Sequence, residues 1–82
     1  MNNKPILVVQ AGVRKKVYVT FEEDTFPNKG GYFCQTYHDA ECEMPTTMSF
    51  TIPNHLLRGA SDKLKLAKSL ANEKVKKWYY VN

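Results

Sequence analysis

The sequence predicts a small α+β domain: an antiparallel β-meander of four, or five, strands packed on one C-terminal amphipathic helix. Three observations carry this prediction. Residues 16–22 and 46–52 alternate between apolar and polar side chains, and residues 61–75 repeat their apolar side chains at the helical period. A chain of 82 residues makes one domain, here residues 1–82. An apolar content of 43% argues against wholesale disorder.

The first half of the predicted sheet is a hairpin. Residues 1–4 are polar, and we expect them to be frayed. The apolar run Ile6–Val9 predicts a first strand buried on both faces, and Ala11-Gly12 predicts the turn after it. In the second strand, Lys16–Glu22, one side of the alternation should face the core, namely Val17, Val19 and Phe21.

The second half follows a loop, residues 23–31, that is rich in turn-forming side chains. Gly31–Tyr37 predicts a third strand, and its inward face is either Phe33/Gln35/Tyr37 or Tyr32/Cys34/Thr36. Thr46–Ile52 predicts a fourth strand, which Pro53 ends because proline cannot donate to a ladder. Its inward side chains are Met48, Phe50 and Ile52.

The helix begins at a capping signal. Ser61 is the expected N-cap, and Asp62 suits the positive end of the helix dipole. The helix should end near residues 72–77, and the aromatic and β-branched segment Tyr79–Val81 favours a short closing strand over more helix. A helical projection places one apolar arc toward the sheet, widened by Leu66 and Leu70: Ala60, Leu64, Ala67, Ala71, Val75 and Trp78.

The charge is uneven along the chain. The net charge is +4, but from Leu57 onward seven basic and two acidic residues give +5, whereas the first 56 residues carry −1. Such asymmetry indicates an anionic partner, which could be nucleic acid, a membrane surface or an acidic protein. An ordinary solvated lysine-rich helix face has the same composition.

The two cysteines and the hydropathy indicate the cellular compartment. No secretory signal and no run of about 20 apolar residues is present. We therefore expect a cytoplasmic protein without a membrane partner, in which Cys34 and Cys42 are free thiols.

A metal or catalytic role is not expected. Cys34, His38 and Cys42, with His55 as a fourth donor, are the candidates for zinc. If residues 34–38 are extended, Cys34 and His38 lie about 13 Å apart along the strand, which is too far for one ion without a bend. The same separation disfavours a Cys–His catalytic pair. The sequence thus predicts no enzyme, no metal and no cofactor.

The candidate binding surface combines basic residues with an outward-facing strand. Lysines neutralise phosphates or carboxylates, and tyrosine can stack on bases or anchor an interface. The candidate partner- or nucleic-acid-binding residues are Arg14, Lys15, Lys16, Tyr18, Lys65, Lys68, Asn72 and Lys76.

Two functions are compatible with these sequence features. The first is a small regulatory or inhibitory protein that docks on a larger protein partner, which could be one that handles nucleic acid; an accessory protein of a phage or mobile element would suit this size. The alternative is direct, largely sequence-nonspecific nucleic-acid binding by the basic helix face. Arginine, which usually reads bases, is scarce, so sequence-specific DNA recognition is not expected. The oligomeric state stays open.

Overall fold

A computed structural model describes residues 4–25 and 29–81, with residues 80 and 81 described by backbone alone. Within those ranges, four antiparallel strands form one sheet in chain order: β1 (Ile6–Gln10), β2 (Lys16–Glu23), β3 (Tyr32–Tyr37) and β4 (Pro45–Ile52). A 3₁₀ turn (Asn54–Leu56) then leads to the helix α1 (Lys63–Val81). This architecture confirms the predicted α+β meander packed on a C-terminal helix.

The alternation of β2 and β4 is confirmed. Val17, Val19 and Phe21 are buried under α1, and Met48 and Ile52 are buried at the far edge, with Phe50 half-buried beside them. The register settles the open question on β3. Phe21 pairs with Cys34, and paired residues point to the same face, so Cys34 and Thr36 face the helix.

The expectation that β1 is buried on both faces is wrong. Val9 is fully buried, but Ile6 is 40% exposed and Val8 is 52% exposed. The cause is the position of β1, because it forms one edge of the sheet and α1 covers only one face. A four-residue apolar run has no period that distinguishes a half-covered edge strand from a central one.

The helix begins one residue later than the capping signal indicated. The backbone N–H of Lys65 donates to Oδ1 of Asp62 at 3.1 Å, and the N–H of Leu66 donates to the Asp62 carbonyl at 3.2 Å. Asp62, and not Ser61, is therefore the N-cap, since the capping side chain accepts from the third helical N–H. Both residues are good caps in sequence, so composition alone does not separate them.

The helix also runs further than predicted, and the closing strand at Tyr79–Val81 is wrong. Helix α1 continues to Val81. The reason is that the buried face repeats at a spacing of four from Ala67 through Ala71 and Val75 to Tyr79, which packs on the core. Trp78, which the projection placed on the buried arc, is instead 50% exposed.

The β3–β4 pair contains a bulge. Its register shifts between Gln35 and Tyr37, which pair with Ser49 and Pro45, respectively, so β4 carries two extra residues there. The Gln35 amide donates to the carbonyls of Thr36, Thr46 and Met48 at 3.1–3.2 Å. The buried Thr36 hydroxyl donates to the Met48 carbonyl at 2.8 Å and contacts the Thr46 hydroxyl. These bonds replace the ladder bonds that the bulge removes.

The predicted frayed start falls mainly outside the described residues, which begin at Lys4. The Lys4 ammonium lies 3.4 Å from the Glu22 carboxylate on β2. The predicted turn at residues 23–31 is described only in part, because residues 26–28 lie outside the described ranges.

Candidate docking surface

The sheet face turned away from α1 is not covered by any described helix. The register aligns its side chains in rows across the strands. Val8, Tyr18 and Tyr37 form the row nearest the β1–β2 turn, through the pairs Val8↔Tyr18 and Tyr18↔Tyr37. We call this face the open sheet face, and it comprises three rows: Val8–Tyr18–Tyr37, Ile6–Thr20–Gln35–Ser49, and Glu22–Phe33–Thr51.

The open sheet face carries three exposed apolar side chains among polar ones. Ile6 and Val8 are exposed on β1, and Phe33 is 42% exposed on β3. Tyr18 and Tyr37 are half-buried in the row of Val8, and the row of Thr20, Gln35 and Ser49 separates them from Phe33. Scattered exposed apolar residues are normal, but a contiguous patch with a polar rim marks an interaction surface.

A basic pocket adjoins one end of the open sheet face. Its volume is about 490 Å³, and it lies at the turn that joins β1 to β2. None of the described side chains that line it carries a carboxylate. The residues of this hairpin pocket are Gln10, Val13, Arg14, Lys15, Lys16, Tyr18 and His38.

The hairpin turn that carries these cations is held in one conformation. The Gln10 amide donates to the Gly12 carbonyl at 2.6 Å and approaches the carbonyls of Val13 and Lys15. The N–H of Ala11 donates to the Lys15 carbonyl at 2.8 Å, closing the turn. The basic side chains therefore project from an ordered backbone.

Lys15 connects the hairpin to the helix. Its ammonium lies 4.5 Å from the centre of the Tyr79 ring, a cation–π contact. Tyr79 belongs to the last turns of α1, where the helix dipole favours a positive charge. This contact links the exposed Lys15 of the hairpin turn to the helix.

The structure divides the predicted binding residues between two sides of the molecule. Arg14, Lys15, Lys16 and Tyr18 line the hairpin pocket. The other four residues belong to α1, which packs on the opposite sheet face. Of these, the side chains of Lys65 and Lys76 are exposed, whereas Lys68 and Asn72 are half-buried rather than on the outer side as the projection indicated. The eight residues are thus divided between the hairpin and α1, and Lys15 contacts the helix through Tyr79, which is not one of the eight.

The zinc candidates are not brought together. Cys34 lies in the core, where burial raises the pKa of its thiol to about 12. His38 and Cys42 lie in the connection between β3 and β4. Among the described residues, no group of three or more His, Cys, Asp or Glu side chains is close enough to hold a metal ion.

The acidic connection before β4 has a structural role at Asp39. Its Oδ1 accepts from the N–H of Met44 at 2.9 Å and from that of Glu43 at 3.0 Å. These backbone bonds lower the pKa of the Asp39 carboxyl, and the bond from Met44 has the largest effect. They also stabilise a turn in which Cys42 has the left-handed φ of 57°. This carboxylate therefore faces the turn's own N–H groups.

Sequence reasoning places the outward side chains of β2 and β4 on this face but misses its apolar part. The apolar run places Ile6 and Val8 in a buried strand, and the pattern of β3 does not decide which way Phe33 and Tyr37 point. A usable signal is present in the sequence: only one helix is predicted, and one helix covers only one face of a sheet. His38, a candidate only as a metal ligand or base, lines the hairpin pocket instead.

No helix among the described residues is long and apolar enough to cross a membrane. Comparisons with protein-family models, with curated proteins and with solved structures give no match to this chain.

Proposed function

We propose that this protein is a small, non-catalytic regulatory or inhibitory module that docks through its open sheet face on a larger protein. The observation that carries the proposal is the exposed apolar surface of Ile6 and Val8 beside the half-buried Tyr18 and Tyr37, with the exposed Phe33 further along the same face. Interfaces are anchored by such aromatic and apolar groups at their centre, with polar groups at the rim.

The partner surface should be acidic around an apolar centre. The rim of the open sheet face at the hairpin end carries Arg14 and Lys16, and the chain as a whole carries a net charge of +4. Complementary charge would speed association with an acidic surface.

The aliphatic side chains of the open sheet face favour a protein partner over a nucleic-acid partner. Bases stack on aromatic rings, and Tyr18 and Tyr37 could serve that purpose. Ile6 and Val8 have no π-face, and both lie on the exposed edge strand. Burying them against an apolar protein surface removes them from water, which is the main driving force of association.

Capture on the immobilised protein tests this function. The wild type is compared with Val8→Glu, on the open sheet face, and with Lys65→Glu, on the outer side of α1. We expect one protein to be retained by the wild type and by Lys65→Glu but lost with Val8→Glu, and to bind with the same pattern once purified. Retention of the same proteins by all three forms would overturn the proposal.

Direct nucleic-acid binding is the second candidate function, and one contact favours it. Lys15 over Tyr79 places the basic hairpin beside the C-terminal part of α1, which carries Lys76 and Lys77. Labelled DNA and RNA titrated at two salt concentrations provide the test, since phosphate contacts predict an affinity that falls steeply with salt. Absence of binding at low salt would exclude this candidate.

We keep the cytoplasm as the proposed location. The proposed partner could be a protein that itself handles nucleic acid. The free thiols of Cys34 and Cys42 support a reducing compartment. The partner's identity would follow from the capture experiment.

A further inference from the structure

The hairpin pocket has a composition that suits an anion with several acceptor oxygens. Arg14, Lys15, Lys16 and His38 surround it, and Tyr18 adds an aromatic ring. Within the described part of the chain, the nearby carboxylate of Asp39 is occupied by the backbone of its own turn, and Glu22 pairs with Lys4 at the other end of β2. Asp39 still interacts electrostatically with His38, so the cations available to a ligand are those of Arg14, Lys15 and Lys16, and none of the described side chains that line the pocket carries a carboxylate.

We propose that the hairpin pocket binds the phosphate group of a small phosphate ester, with nucleoside monophosphates as the favoured class. A phosphate dianion presents three terminal oxygens and a charge near −2. It therefore suits a pocket with three cationic side chains better than a carboxylate ligand, which has two oxygens and a single charge. Arg14 supplies a planar fork of donors suited to phosphate, and Lys16 supplies a second cation. The Tyr18 ring beside these donors offers a stacking surface for a planar base.

The pocket is also prepared for such a ligand before it arrives. The Gln10 amide fixes the turn through the Gly12 carbonyl, and the Tyr79 ring holds Lys15. An ordered backbone lowers the conformational entropy that binding would otherwise cost. This inference does not rest on the docking function, because it concerns a small ligand at the end of the face rather than a protein across it.

Titration followed by amide chemical shifts tests the inference on the whole chain. The probes are adenosine 5′-monophosphate, inorganic phosphate and adenosine, each at low salt. We expect adenosine 5′-monophosphate to bind with a dissociation constant on the order of 1 mM or tighter, and to shift the amides of residues 12–16 and 38. Inorganic phosphate should shift the same amides, and adenosine should bind at least about 10-fold more weakly because it lacks the charge-assisted bonds.

Two double variants with the same net charge distinguish binding at the hairpin pocket from general attraction to a positively charged protein. Arg14→Gln with Lys16→Gln removes two cations from the pocket, and Lys63→Gln with Lys65→Gln removes two exposed cations from the start of α1. We expect the first variant to weaken nucleotide binding by about 10-fold or more and the second to change it less than about 2-fold. The amide spectrum of each variant shows whether it remains folded.

Three results would overturn the inference: equal weakening by the two double variants, equal binding of adenosine and its monophosphate, or no shift in residues 12–16 with any phosphate probe. If inorganic phosphate binds as tightly as the nucleotide, the ligand chemistry stands and its source is free phosphate.

Discussion

Cys34 and Cys42 have the same side chain in two different environments. Cys34 is fully buried between β2 and β4, and burial raises its thiol pKa to about 12. Cys42 is half-buried in the turn before β4, where burial first, and then Asp39, raises its thiol pKa. Since the thiolate is the reactive form, neither residue is activated, and Cys34 is in addition inaccessible to solvent.

We therefore predict that one thiol reacts in the native protein, and slowly, whereas both thiols react in denaturant. Labelling with a disulfide reagent at pH 8 should modify Cys42 and spare Cys34 until the chain unfolds. The Cys42→Ser variant, as control, should show no native labelling. Two thiols that react at the same rate in the native protein would contradict the placement of Cys34 in the core.

Asp39 gives a second prediction, for stability against pH. Its pKa is lowered in the folded state, so its charge stabilises the fold above the ordinary carboxyl value of 3.8, and this contribution is lost as the pH falls through the lower folded pKa. Urea unfolding of the wild type and of Asp39→Asn should therefore differ most at neutral pH and converge below pH 3.8. If the two free energies of unfolding differ by the same amount from pH 7 to below pH 3.8, the charge of Asp39 does not contribute to stability.

At the scale of elements, the two ends of α1 show what the sequence could and could not determine. The apolar period predicts the helix and its buried alanines correctly. It fails at the start because Ser61 and Asp62 are both acceptable caps. It fails at the end because strand propensity is given more weight than the continuing period from Val75 to Tyr79, and tertiary packing overrides propensity.

The revised cap is testable by two matched substitutions. Asp62→Ala removes the acceptor of the Lys65 N–H and should lower the free energy of unfolding by about 1 kcal/mol. Ser61→Ala, one residue earlier and exposed, should change it by less than about 0.5 kcal/mol. Urea unfolding measures both, and the reverse order of the two effects would restore Ser61 as the cap.

The edge strand β1 yields a prediction from two adjacent valines. Val9 is fully buried and Val8 is 52% exposed. Val9→Ala should therefore lower the free energy of unfolding by about 2 kcal/mol, from lost burial and the cavity that remains. Val8→Ala should cost less than about 0.5 kcal/mol. Similar losses at both positions in urea unfolding would mean that β1 is covered on both faces.

At the scale of the whole molecule, one helix on one four-stranded sheet leaves the second sheet face uncovered by any described helix. The fold class and the faces of β2 and β4 could be predicted because their alternation has a clear period. The bare face could not be assigned in full, because strand order, the register of Phe21 with Cys34 and the edge position of β1 are long-range properties. The same properties separate the basic helix face from the basic hairpin.

The central claim is that the open sheet face, and not the outer side of α1, contacts a protein partner. Site-specific photo-crosslinking tests it most directly, with p-benzoylphenylalanine replacing Phe33 on the open sheet face or Trp78 in the helix layer. The two positions are similarly exposed, at 42% and 50%. We predict a discrete, nuclease-resistant protein adduct from position 33 and none from position 78. An adduct from position 78 alone, or a nuclease-sensitive adduct from either position, would contradict the claim.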